Sequence, residues 1–513
     1  MEKDNLPKSL SNHQSEADSF KDDAGEKPTN SDNEHNGASC NPSAPLHPDD
    51  GQDDEDLSRI RGDAIGNTLY SERFVLSTLL KLTKNEKELA ENKSFENDLC
   101  SMWDMTIEED VVLLLLEHNV LELFAHCINA TDDKRLVEIL VGILGNMCNF
   151  KQSRELLVEN IALVQTLLDL TNCTDSLTLL QITRLFSVVL IHADRKAALQ
   201  WYQRICNCKD FVKNLTFILS NSINEQLLRQ TVETLNAILA KFALVDPNKQ
   251  KLEAIKKNVN DNDLDGDGDI LPTFEQLFVN EALIKATIEA FLALLPRKNS
   301  TVLQDENEEE YEDDDDDSTI IFTQSTYNLM QIFLNIHCIL TQYDELSQIS
   351  YMPHIETLMD CISCILEPLC NPKYVPHLSN REQDLLDSVN DILESLGDPF
   401  DERCLIYAIS IWNLLRVEND RIARRTPPAN DFEDIPVKED DFNFDTSYLT
   451  ILDLIMRMIN AASELQLSQV WKDNNPDDNM KNLQNTLSIG DADEVTKRCY
   501  SKIQKVLENS QQP

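Results

Sequence analysis

Between Leu136 and Phe150 the chain places Leu136, Ile139, Leu140, Ile143, Leu144, Met147 and Phe150 at intervals of three and four. That spacing draws one continuous apolar stripe along a helix, and a helix so striped must pack against a matching surface. Asp133, just ahead of it, is a side chain suited to capping a helix start. Upstream, Thr106 and Glu109 read as a capping box before the apolar run Val111 to Leu116. Asn119 reads as its stop, and Val120, Leu121, Leu123, Phe124 and Ile128 as a second, short helix. The order is short, short, long. Strand-like alternation is scarce and glycines number only 11, so the expected body is all-helical.

The face opposite the stripe carries Arg135, Glu138, Gly142, Gly145, Asn146 and Asn149. A glycine inside a helix costs about 1 kcal/mol relative to alanine, so two on one face call for close approach by another backbone. That backbone belongs either to a neighbouring helix of this chain or to a segment of another protein. The amide of Asn146 can both donate and accept, which suits an extended main chain.

Short, short and long helices in this order resemble an armadillo repeat. The segment WDM…EEDV…GILGNM, with GDAIGNTLYS at Gly62–Ser71 and LLQITRLFSVVL, is similar to the serum amyloid A-like protein family. The likeness runs from Gly62 to about His192. The resemblance implies an armadillo-type helical fold, in which the third helix of each repeat lines a concave groove and a recurring asparagine holds a peptide. It also implies nuclear location and support of cell proliferation.

Starts near Leu136, Leu177 and Ile223 recur roughly 40–47 residues apart, the period of armadillo and HEAT arrays. The expected fold class is therefore an armadillo/HEAT-like α-solenoid. Residues 1–58 are expected to be a disordered acidic tail and 59–300 the first set of repeats. An acidic loop is expected over 301–318, further repeats over 319–420, a Pro-rich acidic loop over 421–445, and closing helices over 446–513. Within these, one amphipathic helix is expected over 62–83 and a connector over 84–98. Long helices are expected over Thr273–Leu295 and Cys404–Val417.

The net charge of −46 weighs against direct nucleic-acid binding, because an acidic surface repels phosphates. It favours a protein partner with a basic segment. The polar N-terminal residues MEKDNLPKSL, the odd number of cysteines and the absence of an 18-residue apolar run lead to an expectation of a nuclear or cytoplasmic protein. No membrane or secreted role is expected.

Residues 263–270, DLDGDGDI, follow the first eight positions of an EF-hand loop, with Asp263, Asp265 and Asp267 as the side-chain ligands. Position twelve is Phe274, where the loop needs a bidentate glutamate, so a solvated acidic loop is the preferred reading. A calcium-responsive regulator working through residues 263–275 is the alternative. Cys361 and Cys364 lie within an apolar helical pattern and read as buried thiols. No phosphate-cradling, HExxH or GxSxG motif occurs. The expectation is a non-enzymatic interaction scaffold without cofactor; an enzyme lacking any recognisable motif is the remaining alternative.

Overall fold

The computed structural model describes residues 63–84, 92–245, 272–296, 322–372, 380–425, 444–474, 477–488 and 494–510. The expectations for residues 1–58, 301–318 and most of 421–445, and for Asp263, Asp265 and Asp267, fall outside these. The described residues form helices and no strand, apart from one isolated bridge between Ala64 and Ser71.

Two helices open the stack: α1 (Glu72–Lys84) and α2 (Lys93–Met105). Triplets follow. The first is α3 (Glu109–Glu117), α4 (Val120–Ala130) and α5 (Lys134–Met147). The second is α6 (Lys151–Glu159), α7 (Ile161–Asp169) and α8 (Ser176–Ile191). The third is α9 (Arg195–Asn207), α10 (Phe211–Asn221) and α11 (Glu225–Phe242), and the fourth α12 (Phe274–Phe278), α13 (Glu281–Leu294) and α14 (Gln324–Leu340). Next come α15 (Asp344–Tyr351), α16 (Ile355–Leu366) and α17 (Asn380–Ser395), then α18 (Glu402–Arg425) and α19 (Phe444–Ala461). The chain closes with α20 (Glu464–Asn474), α21 (Asp477–Leu487) and α22 (Glu494–Ser510).

The long helices pack in series: α2 on α5, α5 on α8, α8 on α11, α11 on α14, α14 on α17, α17 on α19 and α19 on α22. A second row runs through the middle helices, α4 on α7, α10 on α13, α13 on α16 and α16 on α18. The short turn Leu170–Asn172 bridges α7 and α10, and two such rows of serially packed helices make an all-α solenoid. Its core is continuous from Ile65 to Val506, and Ile139, Leu140 and Ile143 within it are fully buried. On α22, Lys497, Arg498, Ser501, Gln504 and Lys505 are exposed, opposite the buried Cys499, Ile503 and Val506.

Cations close several of the long helices, where unpaired carbonyls gather. Arg154 donates to the carbonyls of Cys148 and Asn149, both at 2.8 Å. Lys241 donates to Ala193 at 3.1 Å. Lys502 donates to Ile459, Asn460 and Ala462 at 3.1, 2.5 and 2.8 Å.

Local expectations fared unevenly. Asp133 caps α5, accepting from the amides of Arg135 and Leu136, and Asn119 separates α3 from α4 in the left-handed region at φ 53°. Thr106 does not open α3. Its hydroxyl donates to the Trp103 carbonyl at 2.5 Å, so it closes α2 instead. Residues expected as a connector include α2, started by the Asn92 side chain and held by Phe95, Leu99 and Met102 in the core. Residues 63–71 precede α1 as a turn, with Gly66 at φ 53° and the Asn67 amide donating to Asp110 at 2.9 Å. The helix expected over Thr273–Leu295 is broken at Asn280, whose side chain accepts from the Leu283 amide and starts α13. α18 runs on past Val417 to Arg425. The helices α6 and α9 were not anticipated.

Among the described residues no single helix is long and apolar enough to cross a membrane. α3 and α4 would qualify only together, and they meet at a 76° bend.

Candidate functional site: the uncovered face of the long-helix row

On α5 most of the face singled out by sequence is engaged within the chain. Arg135 pairs with Glu96 and Glu138, each at 2.8 Å. Burial disfavours its charged form, but those two carboxylates outweigh burial and hold the guanidinium above its ordinary value. Glu138 is 7% exposed. Gly142 does admit a close neighbour, but the neighbour is not a backbone. A Cβ added there would overlap Cζ2, Cε2 and Cη2 of the Trp103 indole on α2. Gly145 is different, because a Cβ there would meet nothing within 4 Å.

Asn146 spans three helices. Its Nδ2 donates to the Trp103 carbonyl at 3.1 Å and to the Thr106 hydroxyl at 3.3 Å. Its Oδ1 accepts from Arg184 on α8 at 2.7 Å. The dual capacity expected of this amide is thus exercised inside the protein. Asn149 is exposed and donates to the Asn146 carbonyl at 3.0 Å.

The same lateral stitching recurs along the row. Thr234 on α11 donates to the Thr183 carbonyl on α8 at 2.8 Å. Asn335 on α14 donates to the side-chain oxygen of Asn236 on α11. Asn390 on α17 donates to the Thr450 carbonyl on α19 at 3.0 Å. Asn335 and Asn390 were missed in the sequence, although a signal exists. Each follows a buried Leu or Val and precedes a helical Ile by zero or one residue, as in Leu334-Asn335-Ile336 and Val389-Asn390-Asp391-Ile392.

α5 is buried from Leu136 to Met147, but the long helices after it each keep one face at least partly uncovered. On α8 that face carries Gln181, Arg184 and Val188, and on α11 it carries Arg229, Glu233 and Asn236. On α14 Asn328, Gln331 and Asn335 are exposed; on α17 Asp384, Asp387, Asp391 and Glu394 are exposed. The carboxyls of α17 crowd one another. Burial and then neighbouring Asp387 raise Asp384, and burial, Asp387 and Glu394 raise Asp391 against the pull of Arg457. Burial likewise raises Glu233, against the pull of Arg229.

The other candidates do not converge. Phe274, position twelve of the EF-hand-like stretch, is fully buried beside Phe278 and Tyr343 in the core. Thr273 before it caps α12 in a box with Gln276. The Pro272 carbonyl accepts from the Tyr202 hydroxyl at 2.7 Å. Cys361 is buried, its thiol directed at the Ile288 carbonyl at 4.0 Å. Among the described residues no group of three His, Cys, Asp or Glu side chains could hold a metal ion.

Comparison with known proteins returns partial likenesses. No family model matches the chain. Two solved engineered proteins overlie 62% and 86% of it, covering 95% and 99% of their own lengths, at 11% and 9% identity. Their TM-scores of 0.34 and 0.32 are too low to bear on the fold. The chain is 35% identical over 207 residues to Protein saal1 of Danio rerio, which is 39% of this chain and 43% of that protein. It is 34% identical over 211 residues to Protein SAAL1 of Mus musculus, 39% and 44% of the two chains. With Protein SAAL1 of Homo sapiens it shares 34% identity over 190 residues, 34% and 40%. The chain therefore spans less than half the length of these relatives, and its likeness to the serum amyloid A-like proteins is confined to that part.

Proposed function

We propose that this chain is a non-enzymatic protein-interaction scaffold of the armadillo type, related to the serum amyloid A-like proteins, that holds a segment of a partner protein across its long helices. The observation that carries the reading is the series α8, α11, α14 and α17, each packed on the next and each leaving a polar face partly or fully uncovered. Amides dominate that face on α14, and amides bind main chain of any sequence. Carboxylates dominate it on α17, and they favour Lys and Arg side chains of the partner. The family resemblance adds a place in the nucleus and a part in cell proliferation to the same proposal, and the cysteines leave the cytoplasm as the other location.

The test is a triple variant of exposed side chains, Gln331→Arg, Asp384→Lys and Asp391→Lys. Surface changes of this kind alter stability by only about 0.5 kcal/mol each, so the variant should melt close to the parent. Affinity for partners identified with the parent, remeasured with purified components, should drop at least about tenfold, the effect of losing one charged contact. Unchanged affinity for every such partner removes the reading.

A further inference from the structure

The charge of this protein is −46, and some of its described arginines find carboxylates. Arg135, Arg229, Arg403 and Arg457 each pair with at least one. Arg184 does not. Its guanidinium donates to two neutral amide oxygens, Asn146 Oδ1 at 2.7 Å and Gln181 Oε1 at 3.4 Å, and makes no ion pair among the described residues. On the adjoining long helices Glu138 pairs with Arg135 and Glu225 with Arg229, while Glu233 feels Arg229 and makes no ion pair among the described residues.

The position is built. Asn146 is 7% exposed and fixed by the Trp103 carbonyl and the Thr106 hydroxyl. It holds one arm of the guanidinium while Gln181, one turn back on α8, holds the other. Arg184 remains partly exposed on the uncovered face. A guanidinium has five donors in a planar fork, and a fork already oriented loses less freedom when it binds. Its geometric complement is a carboxylate, taken bidentately. Elsewhere on an acidic body a partner's carboxylate is repelled, so an unpaired, oriented arginine also fixes where such a group can sit.

We infer that Arg184 is the anchor for an Asp or Glu side chain of the segment bound on this face, with Asn146 and Gln181 as its positioning residues. The inference rests on the scaffold reading. It also gives the bound segment a direction: its acidic residue lies over α8, and its basic residues lie toward the carboxylates of α17.

Selection of a random-peptide display library on the full-length protein tests this, with capped synthetic copies of the selected peptides used to measure affinity. Peptides selected on the parent should share one Asp or Glu position. Replacing that residue by Asn or Gln should weaken binding about 10- to 100-fold, the range for a charged hydrogen-bonded contact. The loss should vanish on Arg184→Gln, and Arg184→Glu should select Lys or Arg at the same position. Thermal melts of the variants keep loss of fold apart from loss of contact. Peptides that bind Arg184→Gln as tightly as the parent, yet fail on the Asp384→Lys, Asp391→Lys variant, overturn the anchor and leave the scaffold standing. No selected peptide at all, or peptides indifferent to both variants, overturns both. Marked preference for phosphoserine over glutamate at the shared position overturns the carboxylate assignment.

Discussion

The α-carbon of Gly142 lies against the indole of Trp103, so close that a single added methyl would occupy ring atoms. α2 can therefore dock on α5 only because residue 142 has no side chain. Gly145, on the same helix, faces open space. Gly142→Ala should destabilise the protein by about 1–3 kcal/mol, the cost of forcing an extra methyl into a packed site. Gly145→Ala should stabilise it by up to about 1 kcal/mol through helix propensity alone. Chemical denaturation of the two variants checks the contrast, and equal effects of the same sign would refute it.

Asn146→Ala should cost about 1 kcal/mol and not the 3 that a stranded buried group can reach. The Trp103 carbonyl would keep the Thr106 hydroxyl at 2.5 Å and the Thr106 amide at 3.2 Å, so no acceptor is orphaned. Arg184 would lose its better-held arm. Denaturation midpoints at constant m-value give the number, and a loss above about 3 kcal/mol would point to an unrecognised dependence on this amide.

His337 sits fully buried against Phe333 and Tyr351, its Nδ1 2.6 Å from the Tyr351 hydroxyl and its Nε2 without a partner. Burial pushes its pKa down from 6.5 to about 3. The unfolded chain thus takes up a proton near pH 6.5 that the native state refuses until about pH 3, and stability falls as pH drops through that window. Between pH 7 and pH 5 this one group should remove about 2 kcal/mol. The stability difference between parent and His337→Gln should narrow, or reverse, by that amount over the same range. A difference that stays constant with pH would show that the imidazole is not the group responsible.

What could be read in advance was local. Asp133 and Asn119 mark helix ends through their own side chain or backbone, and the stripe from Leu136 to Met147 is set by spacing alone. Thr106 was misread because a threonine three residues before a glutamate looks alike whether it opens the next helix or closes the last one. Asn280 was overlooked because apolar residues on both sides hid a cap. On the site, Gly142, Asn146 and Arg135 were legible as residues needing a reason, but their partners were not. Trp103 and Arg184 lie about 40 positions from them in opposite directions, and only the packing of α2, α5 and α8 brings them together. Arg184 itself carries no local signature.

The neighbours α11 and α14 are held to each other by Asn236 and Asn335, and α13, between them in the chain, packs on both. The entropy of closing a chain segment grows only logarithmically, by about 0.6 kcal/mol for each doubling of length. Asn236 and Asn335 lie 99 positions apart, while Thr183 and Thr234, which join α8 to α11, lie 51 apart. The longer closure is about one doubling and costs only about 0.6 kcal/mol more, less than one lost buried methyl group, so a stack of this kind tolerates repeats of unequal length.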